Sequence, residues 1–345
     1  MELLILDKEF NELGTIDEFN SLQWTRKYYD FGDFDLECSI NFFEMIQQGF
    51  YLFRQGYELA YIEEIKYKRS DDNEYVLHVS GQFISSMLND RVIVGEKKFT
   101  GTHEVIARQM LNENFINPND VNRKISNLSL AEVRSLGEDT TLEIKDDEVG
   151  EELNSFLEEK ELSQRIDYDY LTNQLLYSVW QGLDRTEEQS INTWAVFSDD
   201  YDNVADVEYS NDTSDYKNFA YVVGKDNKTI TVNNVKLGER RREMIVSSSD
   251  SVDADLKTKG TQELDKEKPV EVIDCTVISN ENLLYKRDYD LGDLCTIKIR
   301  SIDKMANMRI TEVREIYEDG EVTIVPKFGD DYITITKFIE REVKK

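Results

Sequence analysis

The stretch Trp24-Thr-Arg-Lys-Tyr28-Tyr-Asp-Phe-Gly32-Asp-Phe34-Asp-Leu36 guides the prediction of the fold. Two aromatic residues, Trp24 and Tyr28, precede Gly32, and from Phe34 onwards apolar residues alternate with polar ones. Alternation with a period of two is typical of a strand with one buried face, and a glycine allows a sharp turn before it. We therefore expect Trp24 and Tyr28 to be buried and Gly32 to lie where a strand containing Phe34 and Leu36 begins. On these residues alone, a corner in any β-barrel protein fits equally well.

Alternating patterns elsewhere predict further strands. Residues 57–69 and 75–79 are joined by the Asp/Asn-rich turn 70–73, which predicts a hairpin. A second hairpin is predicted over residues 166–179 with its turn at Thr172-Asn173, and Asp319-Gly320 predicts the turn of a third. The other predicted strands cover residues 193–197, 203–209, 219–223, 229–232, 270–278, 294–300, 308–317, 321–326 and 332–338.

Two segments have the period of an amphipathic helix. Thr102 can cap a helix in which Ile106 and Met110 lie on one face. Residues 147–161 predict a second helix, with Leu153 and Leu157 on its apolar face and glutamates on the solvated one.

Residues 240–268 differ in composition from the rest of the chain. They contain three consecutive arginines at 240–242, three serines at 247–249, and a polar helical pattern whose few apolar residues are Val252, Leu256 and Leu264. We interpret this stretch as a connector.

These patterns predict an α+β fold that is dominated by strands, with a small barrel or closed sheet near the N-terminus. A chain of 345 residues is too long for one ordinary core, so several domains are expected. We predict an N-terminal β-barrel-like domain (1–98), a mixed helical domain (99–165), a second β domain (166–245), and a connector helix with a C-terminal β domain (246–345). A barrel can also be discontinuous in sequence.

The charge of the chain limits its partners. Lys and Arg number 41 and Asp and Glu 71, for a net charge of −30. Such a protein repels phosphate backbones and anionic headgroups, so we predict neither direct nucleic-acid binding nor membrane insertion. The acidity fits two explanations, solubility or a surface along which DNA passes without adhering. Three widely spaced cysteines and acidic residues within the first ten favour a reduced, cytosolic chain without a secretory signal.

The sequence lacks the patterns that carry catalysis. The two histidines are His78, predicted to have a structural role in a strand, and His103, predicted on the surface of a helix. Zinc, nucleotide-binding and nucleophile-elbow motifs are absent. Residues 199–202 are acidic but lack the Gly and Glu of a calcium loop. We predict no catalytic residue, metal or cofactor.

Several segments, taken in order, resemble the siphophage tail-tip hub or minor tail protein family. The order and spacing of the motifs over residues 22–328 carry the resemblance. Besides the Trp24 stretch, the motifs are Phe50 to Phe53, Val79-Ser-Gly81, Leu88-Asn-Asp90-Arg91, Gly182-Leu-Asp184-Arg185-Thr186, Val196-Phe197-Ser198, Asn203, Asn218-Phe-Ala-Tyr221-Val-Val-Gly224, and Tyr289-Asp290-Leu291-Gly292-Asp293.

The resemblance implies a fold similar to the baseplate hub of contractile phages, in which small β-barrel domains form a trimeric ring at the tail tip. It implies a virion protein that is made in the bacterial cytoplasm and contacts distal tail or tail-tube proteins, the tape-measure protein, and tip or receptor-binding proteins. Some members carry a C-terminal peptidase or receptor-binding extension; the sequence ends at Lys345, so we expect no such part. The residues expected to matter for structure and assembly are Trp24, Tyr28, Gly32, Phe34, Leu36, Asp184, Arg185, Gly292 and Asp293.

Two other functions remain open. An adhesin for host-wall carbohydrate would need exposed aromatic side chains; Trp24, Trp180 and Trp194 are candidates, although core packing is the favoured role for each. A cell-wall hydrolase is the weakest alternative, because no catalytic set was found.

Overall fold

Strands make up most of the structure, as the alternating patterns predict. The computed structural model describes residues 1–69, 75–225, 228–248, 252–277 and 283–329. The described residues divide into two compact units, one within 1–204 and 277–328 and the other built on 205–276. The four domains predicted from the sequence are a finer division and stay a prediction.

An eleven-stranded sheet forms the larger part of the first unit. Its strands are β1 (Leu3–Leu6), β2 (Glu12–Ile16), β3 (Phe19–Lys27), β4 (Asp33–Ser39), β5 (Tyr51–Phe53), β6 (Ala60–Arg69), β7 (Tyr75–Phe83), β13 (Val196–Ser198), β19 (Leu294–Ile299), β20 (Lys304–Glu318) and β21 (Glu321–Phe328). The order is β13-β19-β20-β3-β4-β7-β6-β5-β1-β2, and β21 also pairs with β20. All neighbours are antiparallel except β13 and β19.

One buried cluster extends across most of this sheet. Ile5 in β1 and Ile16 in β2 belong to the same buried cluster as Leu22 and Trp24 in β3, although several strands separate them in the sheet. The strands between them contribute the residues that connect the cluster, so one apolar core runs along the sheet. Among the described residues, the end strands of the sheet do not pair with each other, so the predicted small barrel stays a prediction.

A second core in the first unit contains two helices and two small sheets. The helices are α1 (His103–Leu111) and α2 (Val149–Glu158); the sheets pair β8 (Val92–Thr102) with β10 (Asp139–Glu148), and β11 (Ser163–Asp169) and β9 (Leu128–Leu130) with β12 (Gln174–Trp180). The Thr102 side chain accepts a hydrogen bond from the amide of Val105 and so caps α1, as the sequence predicts. Helix α2 is shorter than the predicted 147–161.

The second unit is built around a three-stranded sheet and one helix. Strand β15 (Phe219–Val223) lies between β16 (Thr229–Asn233), which is antiparallel, and β17 (Glu243–Ser247), which is parallel. Helix α3 (Asp253–Lys266) packs on this sheet, and β14 (Val204–Asp212) pairs with β18 (Val270–Val277).

The interpretation of residues 240–268 as a connector was wrong. Leu256 and Leu264 of α3 are buried in one core with Val222 and Val246, and Gly260 allows the helix to approach the sheet closely. Val252, by contrast, is exposed. Strand β17 has five residues, of which Val246 is buried and Met244 is partly buried. This alternation is too short to predict a strand from the sequence alone.

The turn between β20 and β21 is confirmed, since Asp319 and Gly320 have φ angles of 52° and 79°. Such a pair of left-handed residues suits a two-residue hairpin turn. The predicted turn 70–73 and strand 332–338 lie outside the described residues. No helix in the described part of the chain is both long and apolar enough to cross a bilayer.

Candidate functional site

Three segments that are far apart in the sequence meet in the first unit around Tyr28. Tyr28 follows β3, Gly182 and Arg185 follow β12, and Gly292 and Asp293 precede β19. They converge because β20 pairs with both β3 and β19. We call these five residues the Tyr28 cluster. The structure thus brings together three motifs that the sequence pattern places far apart.

The Tyr28 side chain lies at the centre of this cluster and is only 1% exposed. Its hydroxyl donates to the backbone carbonyl of Glu161 at 2.9 Å and accepts from the Gly182 amide at 3.2 Å. Its ring contacts Trp180 edge to face, with 4.8 Å between the ring centroids. Burial raises the pKa of Tyr28, so the phenol stays neutral and can donate.

Asp293 ties the two later segments to each other. Its Oδ1 accepts from the Leu183 amide at 2.8 Å, and its Oδ2 accepts from Arg185 Nε at 2.6 Å. Burial raises the pKa of this carboxyl, while the hydrogen bonds from Leu183 and Arg185 oppose that effect. This buried ion pair holds the two segments together, because removing Asp293 or Arg185 would leave the other charge buried without its partner.

Two glycines in the cluster are required by close contacts. Gly292 has φ +82°, and a Cβ added there would lie 2.4 Å from the Tyr28 ring. A Cβ at Gly182 would lie 1.9 Å from the carbonyl oxygen of Gly292. Arg309 Nη1 donates to that same carbonyl at 2.6 Å. The three segments therefore fit only with glycine at both positions.

Asp184 is exposed, unlike the five residues of the Tyr28 cluster. Its carboxylate accepts from the amide and the hydroxyl of Thr186, at 2.9 and 2.7 Å, and shapes the loop that follows. Its backbone bridges to Leu294 at the start of β19.

The Trp24 stretch lies in the core of the eleven-stranded sheet. Trp24, Phe34 and Leu36 are each at most 1% exposed, and Gly32 directly precedes β4. A Cβ at Gly32 would lie 2.3 Å from the carbonyl oxygen of Thr25 and 2.5 Å from the Phe83 ring. The burial and the position of the glycine agree with the expectation. The φ angle of Gly32 is not in the left-handed region, so a side chain is excluded here by the close contacts and not by backbone strain. The assembly role of these residues stays a prediction.

The sequence analysis missed an ionic network that is partly buried. We call it the Arg26 cluster, and its charged members are Arg26, Arg54, Glu58, Lys286, Asp290 and Glu315. Arg26 binds Glu58 at 2.8 Å and Asp290 at 2.7 Å, and Arg54 binds Glu315 at 2.7 Å. Three cations thus face three carboxylates.

The Tyr57 ring lies within the Arg26 cluster, between two of the cations. Arg54 Cζ and Lys286 Nζ are each 3.4 Å from its centroid. Burial raises the pKa of Glu58, but the Arg26 charge and hydrogen bonds outweigh burial and hold this pKa below its usual value. The sequence did contain a signal: Arg26 alternates in step with the core residues Leu22 and Trp24 of β3, which places it on the same face of the strand.

Two sequence-based expectations about single side chains were wrong. His103 is buried, at 2% exposed, because the first turn of α1 packs against α2, where its ring stacks on Phe156 with 4.5 Å between centroids. Trp194, favoured as a core residue, is 52% exposed because it lies in the loop between β12 and β13. Trp24 is in the core as expected, and Trp180 is half-buried against Tyr28.

The acidic residues at 199–202 serve the fold. Asp199 accepts from the amides of Arg300 and Ser301, and Asp200 pairs with the Arg300 side chain. Among the described residues, no group of three or more His, Cys, Asp and Glu side chains is arranged to hold a metal ion.

The comparisons with known proteins agree with one another. The model of the family described as Siphovirus ReqiPepy6 Gp37-like protein matches residues 2–330. A comparison with curated proteins gave no match.

Three solved structures of tail proteins resemble this chain over nearly their whole length. The prophage tail protein gp18 from Listeria monocytogenes EGD-e is 13% identical with a TM-score of 0.57, covering 100% of this chain and 99% of its own. The 43 kDa tail protein of prophage MuSo2 from Shewanella oneidensis is 14% identical with a TM-score of 0.57, covering 95% and 98%. The tail protein from Neisseria meningitidis MC58 is 11% identical with a TM-score of 0.55, covering 95% and 96%. At these identities the likeness establishes a common fold.

Proposed function

Because the chain belongs to the family of Siphovirus ReqiPepy6 Gp37-like proteins, we propose that it is the hub subunit at the tip of a phage or prophage tail. It is a structural protein of the virion tail and assembles with other tail proteins. The observation that supports the hub proposal is the family match over residues 2–330, together with the likeness to solved tail proteins over nearly the whole length of each chain.

We further propose that three copies form a ring through their β domains. An open strand edge among the described residues supports this arrangement. There, β5 pairs only with Ala60 and Tyr61, so that beyond residue 63 β6 has β7 as its one described strand partner. This edge carries charged side chains, including the ion pair between Glu64 and Lys66. Charges on an edge oppose premature pairing, which suits a subunit that associates only when it meets its neighbours in the particle.

The charge supports a conduit. An acidic lining of the ring would let DNA pass, because a basic lining would hold phosphates through counterion release. The basic residues 240–242 are partly engaged within their own unit: Arg241 lies 3.5 Å above the Phe219 ring and pairs with Glu243 at 2.7 Å. The proposed partners are the distal tail or tail-tube proteins, the tape-measure protein, and the tip or receptor-binding proteins.

Cryo-electron microscopy of purified particles that carry a tagged copy of the chain tests the proposal. The expected result is tagged density in three copies at the distal end of the tail. Density along the tube, or six copies or one at the tip, would contradict the hub or the threefold ring.

A further inference from the structure

The loop between β12 and β13 exposes apolar side chains. Ile191 is 91% exposed, Trp194 52% and Leu183 47%. Backbone contacts hold the two arms of the loop together, since Ala195 N donates to Arg185 O at 2.8 Å. We call Leu183, Ile191 and Trp194 the loop patch. A loop that exposes several apolar side chains marks an interaction site more often than a single exposed residue does.

Side-chain hydrogen bonds make this loop rigid. Gln189 Oε1 accepts from the amides of Ile191 and Asn192, both at 2.7 Å. Gln189 Nε2 donates to the carbonyls of Thr186 and Asn192, both at 3.0 Å. The indole Nε1 of Trp194 donates to the Gln189 carbonyl at 2.9 Å. A loop that is ordered before binding loses little conformational entropy on docking.

The same hydrogen bonds indicate the chemistry of the partner. A sugar site combines an aromatic face with polar groups that are free to bind hydroxyls. Here Gln189 uses both ends of its amide within the loop, and Trp194 uses its only donor. Leu183, Ile191 and Trp194 offer a partner aliphatic and aromatic surface, which fits an apolar cleft on another protein.

Acidic groups border the loop patch. Asp184, Glu187 and Glu188 lie in the loop, and Glu187 pairs with Lys298. The one cation of the loop, Arg185, is bound internally to Asp293. A complementary cleft therefore has a basic rim, whereas a second copy of a chain with a net charge of −30 matches it poorly.

We infer that the loop patch docks into an apolar cleft with a Lys/Arg rim on a different protein of the tail. This inference rests on the proposed function, because it requires the chain to be a tail component. Exposed Ile191 acts as the inserted anchor and the acidic border orients it.

Competitive incorporation tests the inference. Wild-type and variant chains are co-expressed in the host that produces particles, and mass spectrometry measures their ratio in purified particles and in the lysate. Ile191→Lys should be depleted at least about tenfold in particles, since it removes an anchor and repels a basic rim. Ile191→Glu also loses the anchor, but it should be depleted clearly less than Ile191→Lys, because a basic rim attracts its charge and repels that of lysine.

Leu171→Lys is the matched control, since Leu171 in the β11–β12 turn is also 91% exposed. It should be incorporated at the wild-type ratio. If Ile191→Lys and Ile191→Glu are depleted equally, the basic rim is refuted. If neither variant is depleted, docking through the loop patch is refuted. A photo-crosslinker at position 191 should join a different tail protein, whereas crosslinks only to its own chain would overturn the inference while leaving the hub proposal intact. If purified particles contain no wild-type chain, both the docking inference and the hub proposal are refuted.

Discussion

Replacing Gly292 with alanine should destabilise the first unit through two separable effects. The first is conformational: Gly292 has φ +82°, and an L-residue in the left-handed region costs about 1–2 kcal/mol. The second is steric, because the new methyl group would lie 2.4 Å from the Tyr28 ring and 3.0 Å from Trp180. Overpacking of a filled core costs about 1–3 kcal/mol more. We expect a total loss of about 2–5 kcal/mol.

Gly320→Ala is the matched control for Gly292→Ala. Gly320 has φ +79° but no atom within 4 Å of an added Cβ, so this variant incurs only the conformational cost. All three tryptophans of the chain, Trp24, Trp180 and Trp194, lie in the first unit, so tryptophan fluorescence during urea unfolding reports on that unit. Gly292→Ala should have the clearly lower unfolding midpoint. Equal unfolding midpoints for the two variants would mean that the Tyr28 cluster accommodates the added methyl group without strain, which would refute the predicted steric cost.

Trp24→Ala should cost about 3–5 kcal/mol, because its fully buried ring packs against Phe83 and Phe34; an unchanged melting temperature would refute the core assignment. Glu58 has a folded-state pKa below its ordinary value of 4.5, so its stabilising contribution is present above about that pH and is lost as the pH falls through the folded-state pKa. Urea midpoints should therefore fall less steeply on acidification in Glu58→Gln than in the wild type, and parallel pH profiles would refute this. The assembled protein should not retain DNA in a filter-binding assay at physiological salt, and retention that weakens with salt would contradict the acidic conduit.

An element of this protein is predictable from the sequence when the interactions that form it join residues close together in the chain. Strands β4 and β12 and the start of α1 were predictable, because alternation and capping involve neighbouring residues. The Asp319-Gly320 turn was predictable for the same reason, since its two positive φ angles are a local requirement. The five-residue strand β17 was not, because its pairing with β15 and the packing of α3 over Val246 stabilise it.

The sequence by itself determined that this chain is β-dominated, acidic and without a recognisable catalytic set, and its motif order indicated the tail-protein family. Only the tertiary structure decided which residues meet. Tyr28, Gly182 and Gly292 contact one another across more than half of the chain because β20 pairs with both β3 and β19. The tertiary structure also decided which way single side chains face, burying His103 against Phe156 and exposing Trp194. The physical reason is that polarity and period predict burial only on average, whereas burial of a particular side chain depends on the element that packs against it.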